Sequence, residues 1–307
     1  EGISRGLATY RFGGSPGVAR RPGWSSLAAP GLQSAVCAVN IMTVLDPGLL
    51  TTVQDLGRTG FAHLGVSGSG ALDQDAHRLA NRLVGNLESA ATLETTLLGV
   101  TVTFARSVVV AVTGARCELQ VGERQADMLQ PVYVPSGSVL RLGPSAQARS
   151  YLAVAGGIDI PVVMGSRSTD LLSGLGGHAL ERGDRLRIGV ESGKPRFGDA
   201  VIVQRNQGPG LRVLLGPRDD WFTEDTLELF DGAQYLVSEA SNRFGLRLQG
   251  PELARSRPGE LAPEPIVLGA VQVPPDGQPV IFLNDHPTTG GYPVIGVVHP
   301  DDLPNCA

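Results

Sequence analysis

Glycine or proline interrupts nearly every apolar run in this chain, and this punctuation limits what the chain can fold into. The 307 residues include 41 glycines and 22 prolines, and the glycines follow no fixed period. Periodic glycine is typical of collagen, whereas irregular glycine between short β-branched runs marks turns between strands. The sequence therefore predicts a mainly β fold with a few short helices.

The candidate strands are short apolar runs with glycine or proline in nearly every gap between them. They cover residues 107–112, 117–121, 132–134, 139–142, 151–155, 185–188, 211–215, 234–238, 245–248 and 267–273. Two further runs, 279–283 and 293–298, flank a polar stretch near the C-terminus. Many short strands of this kind are typical of β-barrels and β-sandwiches.

Two segments have the spacing of helices instead. Thr223 is placed to cap one of them, which has an acidic first turn and ends at Gly232. Asp73 is placed to cap the other, which ends near Gly85. This helix carries an apolar stripe at helical spacing, formed by Ala76, Leu79, Ala80, Leu83 and Val84.

Shifts in composition divide the chain into three predicted parts. Residues 1–41 are rich in Gly, Ser, Arg and Pro, and we interpret them as a loose N-terminal extension. Glycine- and proline-containing stretches at 189–195 and 206–210 indicate a boundary between folded units. We therefore expect an N-terminal β lobe over 42–205 and a C-terminal β lobe over 206–307.

Charge and cysteine usage argue against several classes of function. A net charge of −5 argues against a nucleic-acid surface, which needs clustered cations. Lys194 is the only lysine, which excludes an ordinary P-loop and leaves no recognisable biotin carrier motif. The apolar runs are too short to span a membrane, and no signal peptide is legible. Three cysteines without a C-x-x-C pair predict a reduced, cytoplasmic protein, and the histidine spacing predicts no zinc site.

Two polar clusters lie near the two ends of the part of the chain that is predicted to fold. In the first, residues 51–60, Gln54, Asp55 and Arg58 can clamp a polar ligand or simply form an Asx turn with a local ion pair. In the other, Asp285-His286 is followed by two threonines and two glycines. This stretch can supply general acid–base chemistry or be a capped turn, and its density of polar groups favours function.

Two more clusters lie between these. Residues 67–73 lead from a glycine-flanked serine pair into the Asp73 helix, which suits an anion but is better explained as an ordinary N-cap. Residues 241–248 contain Arg243 and Arg247, which suit a carboxylate or phosphate, or else line a solvated strand edge.

These clusters, in this order, resemble the allophanate hydrolase subunit 2 family, which includes Kip-type regulators, the C component of 5-oxoprolinase and half of the urea carboxylase carboxyltransferase domain. The similarity extends from residue 43 to about residue 304. The motifs that carry it are VLDPGLLTTVQDLGR (44–58), GALD (70–73), ANRLVGN (80–86), LE (93–94), AVQVPPDGQP (270–279) and DHPTTGGYP (285–293).

The resemblance implies two cyclophilin-like β-barrel lobes and a partner, a subunit 1 that is encoded separately or fused. In the 5-oxoprolinase members this partner is the B component, ATP is used on 5-oxoproline, and a LamB/YcsF-type third protein completes ring opening. Under this hypothesis ATP is a substrate whose binding site is not legible in the sequence. The other substrate is then a small cyclic amide.

On the 5-oxoprolinase hypothesis we assign roles to individual residues. Arg58, Arg243 and Arg247 are candidates for stabilising a phosphorylated intermediate. Proton transfer and catalysis are assigned to Asp285, His286 and Asp55. The candidates for orienting the lactam are Gln54, Thr288 and Thr289.

Two other functions stay open. One is a component of a biotin-dependent carboxyltransferase, with the biotin on a separate protein. The other is a non-enzymatic regulator that binds a Kip-type kinase inhibitor. The chain departs from the family at Pro263-Glu264-Pro265, lacks a final strand expected after residue 304, and has no counterpart for 1–41. In all three hypotheses we expect the clusters at the two ends of the chain to converge around one small-molecule cavity.

Overall fold

The computed structural model describes residues 40–145, 148–198, 210–259 and 261–306, and most of its regular structure is β-strand. The predicted mainly β fold with a few short helices is confirmed. The strands form open sheets and not closed barrels. Residues 1–39 and the proposed boundary at 205/206 lie outside the described ranges, so the domain limits stay predictions.

The N-terminal lobe is a sandwich of two antiparallel sheets. Its strands are β1 Asn40–Asp46, β2 Leu50–Gln54, β3 Thr92–Thr96, β4 Thr101–Phe104, β5 Val108–Gly114, β6 Cys117–Val121, β7 Arg124–Ala126, β8 Val132–Val134, β9 Val139–Ser145, β10 Arg149–Val154 and β11 Arg185–Ile188. One sheet has the order β11-β1-β4-β9-β6-β7, and the other β2-β3-β10-β5-β8.

The core of this lobe lies between the two sheets. Alternate residues of β4 and β9 are buried, as expected for strands with one face toward a core. Strand β10 is different because all six of its residues are buried. Both of its faces are covered, one by the sandwich core and the other by a helix.

That helix, α1 (Gln74–Leu83), confirms the predicted cap and stripe. The Asp73 carboxylate accepts a hydrogen bond from the Ala76 amide at 2.9 Å. Small residues on both sides, Ala80 on the helix and Ala111 and Ala153 on the sheet, allow a close approach. The helix therefore fixes the loop that precedes it, residues 67–73, against the outer face of the second sheet.

The C-terminal lobe contains a second set of strands. They are β12 Val213–Leu215, β13 Leu236–Val237, β14 Gly245–Gln249, β15 Glu264–Pro265, β16 Ala270–Gln272, β17 Val280–Phe282, β18 Thr289–Gly290 and β19 Val294–Val298. Six of them form a sheet of order β12-β19-β16-β17-β14-β13, and β15 pairs with β18 alone. No described strand of this set pairs with one of the first set.

Helix α2 (Glu224–Gly232) lies in the C-terminal lobe and also begins where the sequence predicts. The Thr223 hydroxyl accepts from the Thr226 amide at 3.3 Å, and Gly232 is the last helical residue. Three short 3₁₀ helices complete the regular structure of the described residues, at Ala62–Leu64, Asp219–Trp221 and Pro300–Cys306. In the described ranges, no helix combines the length and apolar character needed to cross a membrane.

Several predicted strands match the structure, whereas β1, β2, β3, β4 and β7 are absent from the predicted set. The predicted strands 117–121, 132–134 and 185–188 have the bounds found in the structure. The polar residues of β2 and β3 are almost all buried. Their threonines, a glutamine and a glutamate face the interior of the protein, which hydropathy does not indicate.

One buried histidine of α1 gives the folded state a pH dependence. His77 is fully buried, accepts from the Thr92 hydroxyl at 2.9 Å through Nδ1, and donates to the Glu88 carbonyl at 3.0 Å through Nε2. Burial disfavours its charged form and lowers its pKa from 6.5 to about 4.

We predict that His77 makes the protein less stable in mild acid. Below its ordinary pKa of 6.5, the His77 imidazole is protonated in the unfolded chain. In the folded protein it stays neutral until the pH approaches 4. The free energy of unfolding should therefore fall by about 2 kcal/mol between about pH 7.5 and about pH 5 through this group alone. Urea denaturation at both pH values measures it: His77→Asn should lose this part of the pH dependence. The exposed His63→Asn is the control and should keep it; equal slopes in both variants would contradict the assignment.

Candidate functional site

The two lobes meet at a buried arginine. Arg243 is 1% exposed and donates from Nε and Nη2 to the two carboxylate oxygens of Asp285, each at 2.9 Å. Its Nη1 donates to Glu94, and its Nη2 also donates to the Gly70 carbonyl at 2.7 Å. Glu94 and Gly70 belong to the N-terminal lobe, whereas Arg243 and Asp285 belong to the other. The Ser69 hydroxyl also donates to Asp285, and the Tyr151 hydroxyl donates to Glu94. We call Ser69, Glu94, Tyr151, Arg243 and Asp285 the interlobe network.

The charges of this network stabilise each other. Burial alone would lower the pKa of Arg243, but Glu94 and Asp285 outweigh it and hold this pKa above its usual value. Burial would raise the pKa of Glu94, yet Arg243 and Arg149 keep it below its usual value. Glu94 also accepts from the Tyr151 hydroxyl at 2.9 Å. Arg243 and Glu94 are therefore both charged at neutral pH although neither side chain is in contact with bulk water.

The cluster at 67–73 and the residues Asn284 and Asp285 are joined directly. The Ser69 hydroxyl donates to Asp285 at 2.8 Å, and the Ser69 amide donates to the Asn284 carbonyl at 2.9 Å. The Asn284 side chain in turn donates to the Ala71 carbonyl at 2.9 Å. Backbone and side-chain hydrogen bonds therefore hold residues 67–73 against residues 284–286, whereas convergence of Asp55 and His286 around one small-molecule cavity stays a prediction.

Asp55 organises a segment of the N-terminal lobe. Its carboxylate accepts from the hydroxyls of Ser166 and Ser168 and from the Arg167 amide, each at 2.6 Å. It also accepts from the Gly57 amide at 2.8 Å. These four donors leave Asp55 occupied with holding residues 166–168 in place.

Arg58 and Gln54 are bonded to that same segment but retain unused polar atoms. Arg58 is 3% exposed and donates from Nη2 to the Ser168 carbonyl. Gln54 is fully buried and donates from Nε2 to the Thr169 carbonyl at 3.0 Å. Among the described residues, Nε and Nη1 of Arg58 and Oε1 of Gln54 have no hydrogen-bond partner. We call Gln54 and Arg58, with the adjoining carbonyls of Ser168 and Thr169, the Arg58 site.

Unsatisfied buried polar atoms cost free energy, and the Arg58 site holds three of them. A buried donor or acceptor without a partner costs about 1–3 kcal/mol, and more when charged. Burial also lowers the pKa of Arg58, although Asp170, Asp55 and Asp285 act in the opposite direction. A ligand with an acceptor for Arg58 and a donor for Gln54 would satisfy all three atoms.

The remaining predicted site residues lie at different depths. His286 is half-buried, and its Nδ1 donates to the Pro287 carbonyl at 2.7 Å, which leaves Nε2 as an acceptor. Thr288 is half-buried and Thr289 is exposed on β18. Arg247 is exposed on β14, and no hydrogen bond between described residues joins it to the interlobe network.

Several residues of the site carry no legible signal in the sequence. Glu94 lies in a motif but shows no role until the fold places it beside Arg243. The Ser-Arg-Ser run at 166–168 is more than a hundred residues from Asp55, and Tyr151 sits inside a buried strand. Only their three-dimensional contacts identify them.

One family of known proteins matches most of this chain. The model of the carboxyltransferase domain, subdomains A and B, matches residues 64–307. This chain belongs to the carboxyltransferase domain family. The resemblance drawn from the motifs is thereby confirmed.

Relatives within the family differ in length and in name. The chain is 42% identical to the C component of 5-oxoprolinase from Escherichia coli (strain K12), over 86% of each chain. It is 35% identical to the urea amidolyase of Saccharomyces cerevisiae over 84% of its own length, but spans only 15% of that protein. The crystal structure of the K. lactis urea amidolyase superimposes with a TM-score of 0.77 at 32% identity, over 86% of this chain and 18% of that one. The relatives are enzymes or parts of enzymes, so this chain is a part of an enzyme system.

We predict that the interlobe network is the most sensitive ionic contact of the fold. Arg243→Met should lower the free energy of unfolding by roughly 3–5 kcal/mol, because Asp285 loses its buried counter-charge and Glu94 keeps only Arg149 at 3.6 Å. Arg247→Met, an exposed neighbour on the adjoining strand, should change it by less than about 0.5 kcal/mol. Guanidinium denaturation followed by circular dichroism gives both values. A similar small loss in both variants would show that the network does not hold the lobes together.

Proposed function

We propose that this chain is the C component of an ATP-dependent 5-oxoprolinase and contributes a binding wall for the lactam substrate. The observation that carries this proposal is the pair of unsatisfied side chains in the Arg58 site, a charged donor next to an amide acceptor. The naming of the E. coli relative supports the same reaction class. The chain spans most of that relative, unlike the much longer urea amidolyases.

The chemistry of a lactam matches the unused atoms. The ring N–H of 5-oxoproline donates, and Gln54 Oε1 is a buried acceptor. The lactam oxygen and the carboxylate accept, and Arg58 offers two free N–H directions on a planar fork. Phosphoryl transfer from ATP to the lactam oxygen places new negative charge beside this guanidinium, where a preorganised cation stabilises it most.

We assign distinct roles to the other candidates. His286 is the proton-transfer group, because its Nδ1 is held by a carbonyl and its Nε2 can accept a proton. Asp285 and Arg243 neutralise each other and position the His286 loop against the N-terminal lobe. Asp55 positions residues 166–168. Thr288 and Thr289, which are more exposed than Gln54 and Arg58, orient the substrate.

The site as described calls for a partner. A subunit 1 protein (the B component, similar to a Kip-type inhibitor) and a LamB/YcsF-type third protein are the proposed partners, and ATP is the proposed co-substrate. The naming of the bacterial relatives as one component of 5-oxoprolinase supports a complex. The Arg58 site supplies binding groups, and a general acid in addition to His286 would come from another protein of the assembly.

Carboxyl transfer is the second candidate function. The family model and the urea amidolyase relatives favour it. The lone lysine, Lys194, does not lie in a carrier motif, so carboxybiotin would arrive on a separate protein. An amide such as urea could use the same donor and acceptor atoms of the Arg58 site.

The test is an assay of the assembled enzyme. We expect this chain, co-expressed with its subunit 1 and supplied with the third protein, to hydrolyse ATP only when 5-oxoproline is present. Arg58→Lys keeps the charge but loses the fork, and should raise KM for 5-oxoproline at least tenfold, since a charged hydrogen bond contributes about 1.5–3 kcal/mol. His286→Ala should lower kcat by about a hundredfold or more with little change in KM.

Arg182→Gln, an exposed arginine outside the Arg58 site, is the matched control and should behave as the unmodified protein. Circular dichroism of each variant separates loss of a contact from loss of fold. Unchanged kinetics in both Arg58→Lys and His286→Ala would refute the site. Consumption of carboxybiotin in place of 5-oxoproline would favour the second function, and inactivity accompanied by tight binding to a kinase inhibitor would favour a regulator.

A further inference from the structure

A cleft opens in the N-terminal lobe beside residues 166–168, the segment whose Ser168 carbonyl accepts from Arg58. It has a volume of about 740 Å³ and lies among the turn before β5, the residues that follow β10 and the end of β11. Volumes of this size are typical of small-molecule sites, which run from about 300 to 1,000 Å³. Three arginines line it, Arg106, Arg167 and Arg187, together with Asp159 and Glu191.

We propose that this arginine-lined cleft binds the phosphate groups of a nucleoside triphosphate. Three positive and two negative side chains line it, so it carries one net positive charge in a chain whose net charge is −5. Local positive potential on an acidic protein attracts anions to that place and repels them elsewhere. Planar guanidinium groups bind phosphate oxygens through paired hydrogen bonds.

The arginines are held in a way that suits a multiply charged ligand. Arg167 is positioned by its Nε, which donates to the Ile160 carbonyl at 2.8 Å, and by Asp159 at 3.2 Å. Arg187 is 55% exposed and lies 3.9 Å from Asp159, beyond hydrogen-bond distance. The Asp159 carboxylate therefore accepts a hydrogen bond from Arg167 but not from Arg187. A polyphosphate, with several negative charges, can compete with it where a single carboxylate cannot.

Arg167 connects this cleft to the Arg58 site. Its side chain lines the cleft, whereas its backbone amide donates to Asp55 at 2.6 Å. The next residue, Ser168, presents its carbonyl to Arg58. A ligand that draws the Arg167 guanidinium toward itself therefore acts on the segment that orients Arg58. This coupling rests on the proposed function, whereas binding in the cleft does not.

The experiment is calorimetric titration of the whole chain, without partners, using ATP with Mg²⁺, pyrophosphate and inorganic phosphate as separate probes. We expect ATP to bind saturably and more weakly as salt rises. The double variant Arg106→Gln/Arg187→Gln changes two exposed residues and should weaken ATP binding at least tenfold. Arg185→Gln removes an exposed arginine of the same strand that does not line the cleft, and should leave the Kd within about twofold.

Each outcome bears on the proposal. Binding of both ATP and pyrophosphate, weakened only in the double variant, identifies phosphate recognition in the cleft; binding of ATP alone adds a nucleoside contact. Absence of saturable binding, equal weakening by Arg185→Gln, or full binding by the double variant would overturn it. An enzyme that binds ATP here yet never acts on 5-oxoproline would leave the cleft assigned and reject only the proposed function.

Discussion

Burial of the Arg243 guanidinium between two carboxylates is the constraint on which the relation of the two lobes depends. A charge removed from water must find its counter-charges and hydrogen bonds within the protein. Arg243 finds Asp285 in its own lobe and Glu94 in the other, so the lobes are held in one relative position. The same contact seats residues 284–286 on the loop before α1, and thereby decides where His286 lies.

Arg243 and Arg58 are both buried arginines, but they differ in how completely the protein satisfies their hydrogen bonds. Both side chains are almost completely buried, and both come from polar clusters that suit an anion equally well in sequence. Arg243 has hydrogen-bond partners at all three nitrogens, which leaves little for a ligand to offer. Arg58 has a partner at one nitrogen only among the described residues. Hydrogen-bond satisfaction, and not residue type, is therefore what distinguishes these two arginines.

The accuracy of the sequence predictions follows the physical basis of each one. Caps such as Asp73 and Thr223 act within three residues, so local sequence determines them and both helices are placed correctly. Strands β2 and β3 are missed because their buried threonines find partners only in tertiary structure. Proximity in sequence predicts a shared site for Arg243 and Arg247, yet Arg247 lies on β14 with its side chain exposed.

Periodicity, capping and short motifs are local properties, and for this reason the residues alone indicate the mainly β architecture, the two helices and the family. Only contacts in the folded chain show that Asp55 accepts hydrogen bonds from Ser166 and Ser168, and that Asp285 accepts from Arg243. Such contacts also decide which buried polar atoms remain unsatisfied and which arginines share a cleft. These facts depend on contacts between residues up to some two hundred positions apart, and only the folded chain brings such residues within hydrogen-bond distance.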